Sequence, residues 1–341
     1  MVADSVQSFE PISLITFLGQ FRLEESVAVA VSGGPDSMAL TRMLCDLDGP
    51  VVHALTVDHG LRTGSDAEAL HVKDAVKDWP KIQHAILEWT GEKPQSRIME
   101  LARAERYRLM EEYCISHGIR YLFLAHHQDD QAETFLFRLS KGSGLDGLAA
   151  MSVMQERIRE GHNVFLVRPL LEYSKQFLED FCKERAVAYV LDPSNYNEKY
   201  ARPRLRKSQE ILAEEGLTAK RIGQTAKRIG RAREALEFLS RSIYQDLLLS
   251  PHEGKKNETL CFDLEKLQQQ PYDIMLRIIL MALRQLDSSG EYGPRLEKAE
   301  LFQDRLLEAS QHKKPFRETL GGCIITLDYK RALLSLEKEQ V

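Results

Sequence analysis

The stretch Ser32-Gly33-Gly34-Pro35-Asp36-Ser37 decides the fold, together with the apolar run Val27–Val31 directly before it. A short run of valine and alanine is typical of a buried parallel strand. The segment 37–47 has apolar residues at helical spacing, so the pattern predicts a strand, a glycine turn and a helix. Such a turn places free backbone N–H groups at the positive end of a helix, where a phosphate can bind.

The chemistry of this loop differs from that of a Walker A loop. The glycines are not followed by the Gly-Lys-Ser/Thr ending, so no lysine reaches the phosphates. Asp36 stands there instead, and its carboxylate would repel a polyphosphate unless a divalent cation lay between them. The alternative interpretation is an ordinary glycine-rich turn capped by an aspartate.

Composition favours an enzyme without membrane spans. The chain has 341 residues, enough for one large domain and a smaller one, and its 43% hydrophobic content is sufficient for a sizeable core. No apolar run is long enough to cross a membrane, and no secretory signal is visible at the acidic N-terminus. The five cysteines are scattered without a CxxC pair, which favours the reducing cytoplasm and argues against zinc or iron–sulfur ligation.

Strand and helix patterns alternate in the first half of the chain, which predicts a doubly wound, mostly parallel α/β sheet of the Rossmann-like kind. A smaller, mainly helical domain follows. We predict a nucleotide-binding domain over 1–216, a long helical linker over 217–249 and a helical domain over 250–341. The predicted strands are 27–31, 51–58, 82–89, 121–125 and 165–168, and the predicted helices of this half are 37–47, 66–77, 98–117, 129–140 and 176–185. The chain end, 321–327 with 332–336, reads as a short hairpin, whereas the pattern from Cys261 to Leu307 is helical.

A second polar cluster, His126-His127-Gln-Asp129-Asp130-Gln-Ala-Glu133-Thr, follows the predicted strand 121–125. On a helix, His126, Asp130 and Glu133 fall within about 60° of one another. Ala132, Phe135, Leu136 and Leu139 would then lie on the opposite, buried side. Two carboxylates one turn apart repel each other unless a proton or a cation relieves them. The alternative is an acidic first turn that only complements the helix dipole.

Positive charge is concentrated in one segment. Residues 199–233 hold eleven basic side chains and three acidic ones, a net charge of +8. Because the whole chain has a net charge of −5, the rest of it carries −13. A basic stripe on an acidic protein is the footprint expected of a nucleic-acid contact. The alternative is a solvated helix face.

The polar motifs occur in a fixed order that resembles the tRNA(Ile)-lysidine synthetases, a family of PP-loop ATP pyrophosphatases. The similar region covers roughly residues 25–217 and becomes faint after about residue 250. Pro203 departs from the family pattern, which often has asparagine there. The motifs that carry the resemblance are Ser32–Ser37, Asp58–Arg62, Arg103 and Arg106-Tyr107, His126–Thr134, Arg138–Gly144, Arg168–Leu171, Asp192–Asn195, and Arg202, Arg204 and Arg206.

The resemblance implies an enzyme that uses ATP and Mg²⁺ to ligate free L-lysine to the wobble cytidine of isoleucine tRNA with a CAU anticodon. It implies an adenylated cytidine as intermediate, with AMP and pyrophosphate as products. The loop Ser32–Ser37, with His59 and Arg62, would bind ATP, and Asp36 and Asp130 would hold the metal. Arg106 would stabilise phosphate charge, and His126 and Glu133 are the two candidates for the base. The implied tRNA-binding residues are Arg202, Arg204, Arg206, Lys227, Arg228 and Arg231.

Two other classes remain open from the sequence. One is a different PP-loop enzyme, such as a 2-thiocytidine, GMP or NAD synthetase, which would need cysteine pairs for sulfur transfer or a glutaminase for amide transfer. The other is a tRNA- or nucleotide-binding protein without catalysis, which would have no need of paired carboxylates. The sequence also allows a homodimer.

Overall fold

The computed structural model describes residues 26–61, 64–91, 93–94, 96–190, 211–249, 259–286 and 293–339. Two compact units form, one from Met1–Lys141 with Ala150–Ala226 and the other from Gly142–Ala149 with Lys227–Val341. Among the described residues, no helix is long and apolar enough to cross a membrane. The predicted boundaries at 216/217 and 249/250 stay predictions.

The first unit is built on a six-stranded sheet with the order β3-β2-β1-β4-β6-β5. Neighbouring strands are parallel except for β5, which pairs antiparallel with β6 at one edge. The doubly wound, mostly parallel sheet is therefore confirmed. Its strands are β1 Ser26–Ala30, β2 Val51–Asp58, β3 Ile82–Glu88, β4 Tyr121–Phe123, β5 Met154–Arg159 and β6 His162–Val167.

The central strand β1 has apolar residues on both of its faces, and helices cover both sides of the sheet. In β1, Val27 and Val29 pack into one core and Ala28 into the other, and all three are fully buried. The helices of this unit, and the long helix that leaves it, are α1 Pro35–Cys45, α2 Ser65–Val76, α3 Ile98–Ser116, α4 Gln128–Leu139, α6 Lys175–Glu184 and α7 Ala219–Leu247. The short α5 Leu145–Leu148 lies between α4 and β5 along the chain but belongs to the second unit.

The carboxyl ends of the parallel strands meet at one edge of the sheet. The loop Ser32–Ser37 follows β1, His59 follows β2, His126 follows β4 and Arg168 follows β6. Ligands of doubly wound sheets bind at this edge, where the strand order reverses beside the first strand. The fold thus brings the polar motifs of the sequence to a single edge.

The second unit combines the expected helices with a five-stranded antiparallel sheet of order β7-β8-β11-β10-β9. The predicted hairpin is confirmed as β10 and β11. The helical prediction was wrong at Cys261–Asp263, which belong to the strand Thr259–Asp263. Phe262 of this strand pairs with Leu334 and lies buried in the core. The elements are β7 Leu248–Leu249, β8 Thr259–Asp263, α8 Leu264–Gln268, α9 Tyr272–Leu286, α10 Leu296–Gln311, β9 Arg317–Leu320, β10 Cys323–Asp328 and β11 Leu333–Lys338.

Candidate active site

The loop Ser32–Ser37 is shaped to receive an oxyanion. Gly33 has φ +83°, and a Cβ there would come within 3.0 Å of a Val72 methyl group, so only glycine fits without strain. α1 begins at Pro35 with Gly34 as its N-cap, and no side chain caps the first turn. The N–H groups of that turn therefore lie at the positive end of the helix dipole, where a phosphate would complete their hydrogen bonding.

Hydrogen bonds inside the loop hold its conformation. The Ser37 hydroxyl donates to the Gly34 carbonyl at 3.0 Å and accepts from the Ser32 amide at 3.2 Å. Outside the loop, the Val190 amide donates to the Gly33 carbonyl at 2.9 Å, and the Cys182 thiol donates to the Pro35 carbonyl at 3.4 Å. The loop is therefore preformed, which reduces the entropy lost when a ligand binds.

Asp36 carries an unsatisfied carboxylate on the first turn of α1. Its Oδ1 is buried without a hydrogen-bond partner in the structure. A buried anionic oxygen in that state favours a cation beside it. Over the described residues, no group of three or more His, Cys, Asp or Glu side chains gathers as a complete metal site. The orphaned Asp36 oxygen, with the Asp130 carboxylate on the other side of His127, fits a metal ion that takes the rest of its oxygen ligands from phosphate and water, as Mg²⁺ does.

His127, which the sequence interpretation missed, lies at the centre of the acidic cluster. Its Nε2 is 3.6 Å from an Asp36 oxygen and 3.5 Å from an Asp130 oxygen, so this one ring faces carboxylates from both α1 and α4. Burial disfavours a charged ring, but Asp129, Asp36 and Asp130 outweigh it and raise the pKa of His127 to about 10. In the absence of a metal, the imidazolium thus stands between the carboxylates.

The same histidine starts α4. When the ring is neutral, its Nδ1 accepts from the Asp129 amide at 3.2 Å, and the His127 amide donates to Asp130 Oδ2 at 3.0 Å, which together form a capping box. In the imidazolium the Nδ1–H instead faces Asp129 Oδ2 at 3.4 Å, and only the bond from the His127 amide to Asp130 remains. The prediction of His126 on the helix face was therefore wrong, because the helix begins only at Gln128. Serine, threonine and acidic residues are the usual caps, so a histidine gave no recognisable signal.

Asp130 and Glu133 lie one turn apart on α4, as predicted. Glu133 is only 3% exposed, which places it inside the protein and not on a solvated face. The predicted buried side of the helix is confirmed for Ala132, which is fully buried, but not for Leu139, which is 51% exposed. The apolar pattern of α4 was thus misleading, because Gln131 is buried as well and exchanges two 2.8 Å hydrogen bonds with the Met151 backbone.

His126 lies in the extended segment between β4 and α4. Burial lowers its pKa to about 3; Asp130 opposes this shift, and the positive charges of Arg168, Arg103 and Arg106 reinforce it. Its Nδ1 is buried without a hydrogen-bond partner. The ring is therefore neutral at physiological pH and has a nitrogen available for a ligand.

His59 and Arg106 form a further group beyond the loop. Burial lowers the pKa of His59, and the Arg106 guanidinium adds to the effect, so the two side chains lie close together. The His59 ring also meets Trp89 edge-on, with centroids 6.1 Å apart. Arg62, predicted to act with His59, lies outside the described residues, so its assignment to ATP stays a prediction.

The predicted tRNA-binding residues fall into two sets. Arg202, Arg204 and Arg206 lie outside the described residues. Lys227, Arg228 and Arg231 lie on α7, and all three side chains are exposed.

Known proteins are similar to this chain in sequence and in fold. A family model described as a PP-loop domain matches residues 10–214. The tRNA(Ile)-lysidine synthase of Bradyrhizobium sp. strain BTAi1 is 36% identical over 319 residues, covering 88% of this chain and 87% of the relative. That of Methylobacterium nodulans is 38% identical over 313 residues, covering 91% and 90%. The chain belongs to the tRNA(Ile)-lysidine synthase family.

A solved structure agrees at the level of the fold. The U34-tRNA thiolase NcsA from Methanococcus maripaludis superposes with a TM-score of 0.51 at 16% identity, covering 66% of this chain and 77% of that one. Such a distant match shows a shared architecture and nothing about the reaction. As a member of the tRNA(Ile)-lysidine synthase family, this chain is an enzyme of the carbon–nitrogen ligase type. The similarity to these relatives extends well past residue 250, where the sequence motifs were faint.

Proposed function

We propose that this protein joins the ε-amine of free L-lysine to C2 of the wobble cytidine in isoleucine tRNA with a CAU anticodon, at the expense of ATP. Family membership supports the reaction. The structural observation that carries it is the preformed loop Ser32–Ser37, with the unsatisfied Asp36 carboxylate beside His127 and Asp130. The arrangement suits a metal-bound polyphosphate, not a lone phosphate.

The first step would activate a poor electrophile. The cytosine C2 oxygen attacks the α-phosphorus of ATP, a new P–O bond forms, and the bond to the β-phosphate oxygen breaks to release pyrophosphate. The N–H groups at the start of α1 would bind the leaving pyrophosphate, since they point at the position where its negative charge develops. Asp36 and Asp130 would hold Mg²⁺, which when bound neutralises phosphate charge.

In the second step the lysine amine attacks C2, and AMP leaves with the original oxygen. An ammonium ion cannot attack, so a base must take a proton from the nitrogen. The low pKa of His126 makes its ring a poor proton acceptor at neutral pH. We therefore favour the buried Glu133 as the base, with neutral His126 as a hydrogen-bonding group, while Arg106 would stabilise the phosphate.

Recognition of the tRNA would need a wider surface than the pocket. Methionine and isoleucine tRNAs can share the CAU anticodon, so the wobble base alone does not distinguish them. Arg202, Arg204 and Arg206 would hold the anticodon loop, and the exposed Lys227, Arg228 and Arg231 would contact the stem through phosphates. The five cysteines are buried thiols outside disulfides, which is consistent with a cytoplasmic enzyme, and a homodimer stays part of the proposal.

The decisive experiment measures transfer of labelled lysine to RNA. The purified protein is incubated with ATP, Mg²⁺, labelled L-lysine and an isoleucine tRNA transcript of CAU anticodon. The matched control is the same transcript with uridine at the wobble position. We expect label only in the cytidine transcript. Equal labelling of both transcripts, or of neither, would contradict the proposal.

A further inference from the structure

Two arginines at the active-site edge have no acidic partner in the part of the chain that the structure describes. Three neighbouring arginines of this unit have acidic partners: Arg108 pairs with Glu105 and Glu112, and Arg157 and Arg159 both bind the buried Glu111. Arg168 and Arg103, in contrast, form no ion pair with any described residue. Arg168 is only 5% exposed, and its two Nη atoms donate to neutral groups, the Ser152 carbonyl at 3.1 Å and the Gln155 amide oxygen at 3.0 Å.

Tyr107 connects the two guanidinium groups. Arg103 Nη2 donates to the Tyr107 hydroxyl at 3.4 Å, and its Cζ lies 5.3 Å from the centre of the same ring. The hydroxyl of Tyr107 also faces Arg168. Tyr107 itself is 9% exposed, so its ring is fixed in the core beneath α3 while Arg103 is exposed.

Several positive charges lie near one another in this cluster. Burial lowers the pKa of Arg168; Tyr107 opposes that shift, whereas the like charges of Arg103 and Arg138 add to it. The Nε of Arg168 is also buried without a hydrogen-bond partner. A buried cation without a counter-ion costs free energy that an enzyme recovers when a ligand brings the missing negative charge.

We propose that Arg103, Tyr107 and Arg168 form the binding site for the α-carboxylate of the free amino acid. Arg103 and the Tyr107 hydroxyl would donate hydrogen bonds to the carboxylate, and Arg168 would stabilise it from below as a buried charge. This inference rests on the proposed function, because it takes free lysine as the second substrate. It adds the residues that select an amino acid over a simple amine.

Location and burial favour a carboxylate over the other anions. The phosphates of ATP already have donors in the loop after β1, whereas this cluster follows β6 and lies on α3. An RNA backbone stays at the protein surface, but Arg168 and Tyr107 are almost fully buried, which suits a small ligand that enters the site whole. Arg168 follows β6 and His126 follows the neighbouring β4 at the same edge of the sheet, so a carboxylate held at the cluster leaves the amine end of the molecule near the reacting groups.

The test compares acceptors that differ only in the carboxylate. The full-length protein is assayed with ATP, Mg²⁺, the CAU transcript and one of three amines: L-lysine, L-lysinamide or 1,5-diaminopentane. Charge-assisted hydrogen bonds of this kind correspond to about 10- to 100-fold in kcat/KM. We expect the wild type to prefer L-lysine over L-lysinamide by that factor. Arg103→Gln should lose this preference because its kcat/KM for L-lysine falls, while its kcat/KM for L-lysinamide stays within about twofold of the wild type.

Matched variants separate binding from folding. Arg108→Gln removes the same charge from the same helix, at a residue already paired with Glu105 and Glu112, and should keep the wild-type preference. Arg168→Lys keeps the buried charge but not the planar fork, so it should reduce the preference without abolishing it. Tyr107→Phe should do the same by removing one donor.

The possible failures are distinguishable. If the wild type transfers no lysine to RNA, the proposed function fails and this inference with it. If the wild type transfers lysine but Arg103→Gln keeps the full preference over lysinamide, the inference alone is overturned. A raised KM for the transcript with a flatter salt dependence, and an unchanged preference, would identify a phosphate of the RNA instead. A raised KM for ATP alone would identify a nucleotide phosphate, which also overturns it.

Discussion

At the scale of single residues, the site depends on how one buried histidine and three carboxylates share charge. Asp36 comes from α1, whereas Asp129 and Asp130 come from the first turn of α4, and His127 lies between them. Burial raises the pKa of an isolated carboxyl group, but contact with His127, the largest influence on Asp129, holds the pKa of that carboxyl below its usual value. A divalent cation placed there would do the same for all of them.

The first prediction concerns Asp36. Asp36→Ala should fold normally, because the side chain is partly exposed and its Oδ1 has no protein partner. It should lose activity by about 100-fold or more, since a metal ligand contributes several kcal/mol to the transition state. Lysine transfer is measured at saturating Mg²⁺, with thermal unfolding as the control for folding. Near-normal lysine transfer would contradict the assignment of Asp36 as a metal ligand.

The second prediction concerns His127. His127→Ala should reduce the free energy of unfolding by about 1 to 3 kcal/mol in the absence of Mg²⁺, because it leaves three partly exposed carboxylates without their cation. Mg²⁺ should then raise the melting temperature of this variant more than that of the wild type, since the ion replaces the lost cation. His162→Ala, at an exposed histidine, is the control. An identical Mg²⁺ effect in all three proteins would contradict this account.

At the scale of elements, a neutral histidine on β3 forms a side-chain hydrogen bond to β2. His84 on β3 is hydrogen-bonded through Nε2 to the Thr56 hydroxyl on β2 at 2.9 Å, while its Nδ1 is buried without a partner. Burial, with some help from Lys73, lowers the pKa of His84 to about 4. Protonation would put a second buried N–H where no acceptor lies.

The third prediction follows from that shift. A histidine whose pKa is lower in the folded state than in the unfolded state destabilises the fold as the pH falls. The stability of the wild type should therefore drop between about pH 6.5 and pH 4. Denaturant unfolding at several pH values measures it, and His84→Gln should show a smaller drop over the same window. An equal drop in both proteins would show that other groups cause the acid sensitivity.

The elements also show how far a sequence can be interpreted. The parallel strands and their helices could be predicted because buried strands and amphipathic helices have distinct periods. β8 could not, since a segment of five residues with only three apolar ones fits a helix or a strand until a partner such as β11 selects one. The beginning of α4 was misplaced by the cap at His127, and the edge strand β5 was missed because its residues 154–156 and 158 are exposed.

The site shows the same division. The residues in contiguous motifs, such as Ser32–Ser37 and Asp130, could be found because each motif has a local chemical reason. His127 and Arg168 also lie in motifs, but their contacts could not be predicted, because those contacts are with residues of other elements. Arg168 meets Ser152 and Gln155 only because β5 returns beside β6. Such contacts arise from topology and leave no local pattern.

At the scale of the whole molecule, the fourth prediction concerns the exposed cations of α7. Replacing Lys227, Arg228 and Arg231 together with glutamine should weaken tRNA binding and flatten its salt dependence by roughly one unit of slope for each lost phosphate contact. ATP binding should not change, because the phosphate loop lies on other elements. Binding is measured at several salt concentrations. An unchanged slope would mean that this part of the basic stripe is only a solvated face.

The central claim is that the loop Ser32–Ser37 binds a leaving pyrophosphate while the nucleoside is adenylated. The most direct test is a count of products during lysine transfer, by chromatography of the nucleotides and an assay for pyrophosphate. The account predicts one AMP and one pyrophosphate for each lysine that enters the tRNA, and no ADP. Formation of ADP and inorganic phosphate in step with lysine transfer would contradict it, whatever the identity of the acceptor.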